Sequence, residues 1–361
     1  MSSKYPKNAQ FKKIFKIHNN IGNDQNNKEM HKQLSYGDSK EEFPSHKKGL
    51  NPPQPSEGNL DTTMNSSKQD TQQGILDISN VSNMPDANVR NDITQEKYQI
   101  YSFNKDYLNE VCQNLILEEN RFYQKINYTY MTFQKNINYK MRAILIDWLI
   151  YVHYRFNMKR KTLFQCVFII DAYLSKNLIE RTNLQLLGLV ALLIACKENE
   201  ITYPSLTSFL ALSENAYNLK EITDMELEVI RKLDFDILAP TSEEFFEIIT
   251  DHFEFTENQK FFGDYFLDSS LLDYNLLKYK SSTIAFACLY IVKKFFNLNK
   301  INSILYNIYS NVNSKDVKDC IKLICVLVKN LSKSNLTSLK NKYMSNKYMN
   351  IAKLCKDNLG V

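Results

Sequence analysis

Met141-Arg-Ala-Ile-Leu-Ile-Asp-Trp-Leu149 carries the only tryptophan of the 361-residue chain, on a run too apolar for one helix face to hold. Met141, Ile144, Leu145, Trp148 and Val152 follow the i, i+3, i+4, i+7 spacing of one helical stripe, while Ile146, Leu149 and Ile150 point elsewhere. Two arrangements fit. Either the helix is central and buried all round, or it buries one face and offers a second to another surface.

The apolar content of 43%, with 12% aromatic residues, is enough for a sizeable core, and the net charge of +5 makes no strong case for nucleic acid or membrane. The seven cysteines lie mostly in apolar helical patterns with no CxxC pair, which reads as a reduced intracellular protein. The longest apolar run, 184–196, falls short of the about 20 residues that cross a bilayer.

Residues 1–95 collect most of the glycines and prolines and long polar runs, and read as a disordered regulatory tail. A helix is expected from Asn104 to about Phe122, striped by Tyr107, Val111, Leu115, Ile116 and Leu117, with a link to about 138. Five helices are expected over 139–238. One opens at Thr162 with Gln165 as a capping-box partner, one covers 183–198, a short one follows Pro204, and one runs from Asn218, with Glu221 as cap partner, to about Leu233. Gly188 in the third helix costs about 1 kcal/mol relative to Ala, which makes sense where a neighbour crosses closely. Ala239-Pro-Thr241 to Glu244 stops the series with a second capping box. Helices are then expected over 242–252, 258–276, 280–297, 301–309 and 314–333, followed by an extension from 336 to 361. The class is all-α, two tandem five-helix units behind an N-terminal helix and a tail, an internal repeat in layout.

No GxGxxG, GxxxxGK[ST], HExxH or metal-spaced Cys/His cluster is present, and His153 and His252 are lone residues at helix positions. No catalytic residue, cofactor or metal is expected. What remains is charge in apolar helices, Lys197 at the end of the third and Glu226 within Met225-Glu-Leu-Glu-Val-Ile230, where pattern alone favours two solvated groups.

Laid out so, residues 141–241 resemble the cyclin box. The resemblance is carried by 141–149, by Ile169-Ile-Asp-Ala-Tyr-Leu-Ser175, by Leu184-Gln-Leu-Leu-Gly188 through Ala195-Cys-Lys197, and by Met225-Glu226 with Leu233-Asp-Phe-Asp-Ile237. It continues through Leu272-Asp-Tyr-Asn-Leu276 to Lys340-Asn-Lys-Tyr343 and Asn346-Lys-Tyr348, in a manner closer to B-type than to A-type mitotic cyclins. The resemblance implies a non-catalytic activator of a PSTAIRE-type cyclin-dependent kinase in the nucleus and cytoplasm. Lys197 and Glu226 would hold the segment before the kinase's C helix, with Ile194, Glu198, Ile230, Phe235 and Ile237 around them. It also implies a docking patch for Arg-x-Leu motifs, built from Met141, Ile144, Leu145, Asp147, Trp148, Arg181, Leu184 and Gln185.

Two positions depart from the family's pattern. Glu198 stands where an aromatic ring is usual, and Tyr151 where many members carry an acid that reads the motif's arginine. Lys197-Glu198-Asn199 spells a degradation signal but lies in a helix end and reads as coincidence, and no Arg-x-x-Leu box stands in the tail. The rival readings are a cyclin-fold scaffold that binds without activating, and a transcription-factor-like module. The latter is disfavoured by the absence of any cysteine before Cys112.

Overall fold

The computed structural model describes residues 102–213, 216–298, 313–331 and 333–358. The tail expected over 1–95 and the helix expected over 301–309 lie outside them. The described residues contain helices and 3-10 turns and no strand. In chain order they are α1 (Ser102–Tyr123), α2 (Tyr139–Arg155), α3 (Arg160–Leu174), α4 (Leu184–Asn199), α5 (Leu206–Leu212), α6 (Leu219–Lys232), α7 (Ser242–His252), α8 (Glu257–Ser270), α9 (Ser281–Phe295), α10 (Ser314–Leu331), α11 (Ser338–Tyr343) and α12 (Ile351–Asn358). Helices α2–α6 form a first bundle, α7–α10 belong to a second, and α11 and α12 form the extension. The helix expected over 258–276 breaks at Ser270, and a 3-10 turn, Tyr274–Lys278, follows.

Helix α4 is the axis of the first bundle, buried from Leu186 to Cys196 and at Leu184. A Cβ at Gly188 would stand 2.7 Å from Leu145 Cδ1, so the absent side chain is what lets α2 cross there. Gly263 does the same for α8, with Phe246 of α7 at 2.2 Å and Val292 of α9 at 2.9 Å from the position of a Cβ.

Two buried ion clusters join the parts. Arg142 forks onto Asp171, with Nε to Oδ1 at 2.7 Å and Nη2 to Oδ2 at 2.6 Å, and its Nη1 donates to the Leu271 carbonyl of the second bundle at 3.0 Å. Tyr130 donates to the same Asp171 at 2.8 Å. In the second cluster Arg160 of α3 meets Asp268 at 3.0 Å, Asp264 at 3.3 Å and Glu243 at 3.9 Å. Lys342 and Tyr343 of α11 reach the other oxygen of Asp268 at 2.7 and 2.8 Å. Two cations thus face three carboxyls in a site that is mostly closed to water. Burial pushes Glu243 up to about 7 and Asp264 up to about 6, with Arg160 opposing both. Burial also works against the Asp268 carboxylate, but Arg160 and Lys342 outweigh it and hold it below its ordinary value. His153 lies beside this cluster, hydrogen-bonded through Nε2 to the Lys159 carbonyl at 2.9 Å, and burial lowers it to about 4.

Helix α1 braces both bundles. Its buried stripe is Leu108, Cys112, Glu119 and Phe122, one step round from the expected one, and Leu117 is exposed. The reason is Glu119, whose carboxylate accepts from Ser282 N–H and Oγ at 2.7 Å each and so receives the open first turn of α9. Tyr123 donates to the Lys278 carbonyl at 2.5 Å, and Phe122 meets Phe168 of α3 edge-on.

The capping box expected at Thr162 and Gln165 does not form. Helix α3 starts two residues earlier without a side-chain cap of its own, Thr162 donates to Glu200 at 2.5 Å, and Gln165 donates to the Ile237 carbonyl. Asn218 and Glu221 do form a reciprocal box on α6, whereas at α7 Thr241 accepts from Glu244 N–H and only that half of the box is present.

These contacts set two expectations. Gly263→Ala drives a Cβ into the enclosed Phe246 ring and the Val292 methyl at once and destabilises by about 2–3 kcal/mol in denaturant unfolding. Gly188→Ala meets only the tip of Leu145 and loses about 1 kcal/mol, because helix propensity offsets part of the strain. The acids Glu243 and Asp264 are protonated more readily folded than unfolded. Their stabilising effect is therefore complete below their ordinary values of 4.5 and 3.8 and is lost as pH rises through about 7 and about 6. His153 runs the other way, stabilising above its ordinary 6.5 and losing that contribution as pH falls through about 4. Urea unfolding across this range isolates the first effect: the stability of Glu243→Gln minus that of the wild type should climb between about pH 4.5 and 7, and a flat difference would contradict it.

Candidate protein-binding face

Lys197 stands in the last turn of α4, where its charge suits the helix dipole, and Glu226 stands midway along α6. The capping box at Asn218 and the buried residues Ile222, Met225 and Val229 fix the rotation of α6, which turns Glu226 toward the end of α4. Lys197 Nζ and Glu226 Oε1 are 2.6 Å apart, with the side chains 44% and 14% exposed. Two groups that pattern alone would leave separate in solvent are therefore a joined pair at the surface.

The following residues of α4 are sorted by their contacts. Glu198 is exposed, while Asn199 and Glu200 turn inward. The Asn199 carbonyl accepts from Lys159 Nζ at 2.8 Å, and Glu200 Oε1 accepts from Lys159 N–H at 2.7 Å. Glu200 thereby supplies the cap that α3 lacks.

Helix α6 ends in a Schellman arrangement, with Asp234 N–H on the Arg231 carbonyl at 3.1 Å and Phe235 N–H on the Ile230 carbonyl at 3.0 Å. Asp234 has φ 54° and Phe235 has φ 60°. Left-handed backbone at a bulky residue costs about 1–3 kcal/mol, and Phe235 is the only aromatic among the described residues to adopt it. Its ring is nonetheless 74% exposed. Leu227 and Leu238 are exposed as well, and Ile230 and Ile237 are half-buried. The result is a charged pair with apolar residues presented beside it in sequence and helix register. Ile194, expected at this surface, is instead core at 3% exposure, since α4 is enclosed on all sides until its last turn. Leu227 and Leu238 were not singled out from sequence. Leu227 falls off the Ile222, Met225, Val229 stripe, and Leu238 sits next to Ile237 in extended chain, where neighbours face opposite ways.

The Met141 stripe departs from the exposed patch. Met141, Leu145, Trp148 and Leu184 are buried, leaving Ile144, Arg181 and Gln185 half-buried. Helix α11 packs on α2, and Asp147 accepts from Ser338 N–H at 3.1 Å, Ser338 Oγ at 2.8 Å and Leu339 N–H at 3.4 Å. The carboxylate expected to read an arginine already receives the first turn of α11, and burial raises it above its ordinary value against those hydrogen bonds.

The family description "Cyclin, N-terminal domain" matches residues 110–238, and "Cyclin, C-terminal domain" matches 240–357. The chain belongs to the cyclin family. Cyclin-A1-1 of Oryza sativa subsp. japonica is 36% identical over 229 residues, covering 62% of this chain and 45% of that protein. G2/mitotic-specific cyclin-B of Spisula solidissima is 32% identical over 280 residues, covering 78% of this chain and 62% of that protein. The match thus spans about half to three fifths of these relatives, and A-type and B-type cyclins stand at similar identity. The crystal structure of a viral cyclin from herpesvirus saimiri shares the fold, with a TM-score of 0.51 at 19% identity, over 59% of this chain and 97% of that one. In this cyclin no helix among the described residues is long and apolar enough to cross a membrane, and none of their His, Cys, Asp and Glu form a metal-binding group.

An exposed ion pair contributes little to folding, at most about 1 kcal/mol. Lys197→Ala, Glu226→Ala and the double variant should accordingly unfold within about 1 kcal/mol of the wild type, with a coupling energy in the double-mutant cycle below that figure. A larger coupling would make the pair a structural bolt and not a binding feature.

Proposed function

We propose that this chain is the non-catalytic regulatory subunit of a cyclin-dependent Ser/Thr kinase of the PSTAIRE type, acting in control of mitotic progression. The observation that carries the reading is the joined Lys197–Glu226 pair at the surface, with Leu227, Phe235 and Leu238 exposed beside it. A surface pair that contributes little to stability yet is held in fixed register suits a ligand whose backbone offers both a carbonyl and an N–H. Lys197 donates to the first and Glu226 accepts from the second, while the apolar residues supply buried area. Gripping the segment before the kinase's C helix holds that helix inward and completes the kinase's own Lys–Glu pair. All catalytic atoms belong to the kinase.

Glu198 shapes the choice of partner. An exposed carboxylate at the edge of this face would be desolvated on binding, so the fitting kinase carries a basic residue opposite it. Recruitment of Arg-x-Leu ligands is a weaker element of the reading, because Asp147 is occupied by Ser338 and the apolar members of the patch are enclosed.

The test is a pull-down and histone kinase assay with a PSTAIRE-type kinase, wild type against Lys197→Ala plus Glu226→Ala. Truncating close interfacial charges costs about 2–5 kcal/mol, so the variant should bind at least tenfold more weakly and fail to activate. Binding without activation by the wild type would make this a scaffold. No binding, combined with salt-sensitive DNA binding, would move it to the transcription-factor-like class.

A further inference from the structure

The geometry points to α1 as the element that positions Phe235 for its partner, through a clamp of Arg121 and Lys125 on Asp236. The inference rests on the proposed kinase contact and names residues outside that face. Asp236 follows the two left-handed residues directly. Its Oδ1 pairs with Arg121 Nη2 at 3.3 Å, and its Oδ2 pairs with Lys125 Nζ. On the other side of the same loop Gln165 donates to the Ile237 carbonyl. The loop from 234 to 237 is therefore gripped at two consecutive residues directly after its left-handed stretch, and the Phe235 ring just before the grips is left exposed.

Arg121 lies in the last turn of α1 and Lys125 two residues past its end, and each also lies over the Phe122 ring, at 4.6 Å for Arg121 and 5.4 Å for Lys125. Phe122 is itself fixed edge-on against Phe168. The clamp thus has a rigid footing that does not depend on the loop. That footing is secured to the second bundle as well, by Glu119 on Ser282 and Tyr123 on the Lys278 carbonyl. A bulky residue in left-handed backbone relaxes unless its surroundings over-determine it. Among the described residues the charged groups paired to the loop are those at the end of α1 and just past it, so this end of α1 sets where the ring points. Arg121 and Lys125 are positioning residues, and neither needs to touch the kinase.

The full chain tests this with two readouts. In Arg121→Gln plus Lys125→Gln, and separately in Asp236→Asn, amide exchange at Phe235 and Asp236 should speed up about tenfold, while exchange in the core of α4 stays unchanged. Raising salt from 0.1 to 1 M should speed the same amides in the wild type alone, since the grip is ionic and partly exposed. Affinity for the PSTAIRE-type kinase should fall about fivefold in both variants. The reversed pairing, Arg121→Glu and Lys125→Glu with Asp236→Lys, should restore exchange protection and most of the affinity. Unchanged loop exchange would overturn the clamp whatever the kinase does. Faster exchange with undiminished affinity, in a chain where Lys197→Ala plus Glu226→Ala abolishes binding, would overturn the positioning role and leave the proposed function standing. If the wild type binds no such kinase, the proposed function falls, and this use of the loop falls with it.

Discussion

The fork of Arg142 on Asp171 governs the rest of the architecture. Both groups are almost fully enclosed, so each is tolerable only in the presence of the other, and losing either partner would strand a charge at a cost of about 3–5 kcal/mol. The fork ties α2 to α3, and α2 in turn lays Leu145 over Gly188 of α4. The remaining donor of Arg142 goes to the Leu271 carbonyl, so the same guanidinium that orders the first bundle also seats the second. Tyr130 completes the arrangement from the segment between α1 and α2. Four parts of the chain meet at one ion pair.

The Arg160 cluster solves a different problem. It gathers α3, α7, α8 and α11 around Asp268, with more carboxyls than cations. Burial displaces Glu243 and Asp264 upward, with neighbouring carboxylates adding to it against Arg160, while Asp268, in contact with both cations, is displaced downward.

Much of the fold was legible in the sequence, because apolar periodicity reports directly on which helices are enclosed. The span of α7 was read to the residue, and the crossing at Gly188 followed from the cost of a mid-helix glycine. The stripe of α1 was misplaced because Glu119, a charged residue, is buried by its role at α9, and hydrophobicity cannot register a carboxylate chosen for its acceptors. The capping box at Thr162 was misread for a similar reason, since Glu200 from another helix took over its role. In the candidate site, Lys197 and Glu226 were found through likeness to a family, where pattern alone favoured separate solvated charges. Leu227 and Leu238 escaped because they lie off the buried stripes. The Met141 helix was legible as either enclosed all round or two-faced, and the sequence around it holds no sign that Ser338 and Leu339 would close over Asp147.

That closure has a consequence for how the molecule is made. Asp147 and Ser338 are separated by 191 positions, so the cover of α2 leaves the ribosome long after α2 itself. At about 5–20 residues per second, α2 waits on the order of 10–40 s before its last neighbour exists. During that interval a strongly apolar helix has an unfinished face, and contacts of such long sequence separation form late in any case. The apolar surface of the nascent first bundle is therefore completed only when α11 arrives.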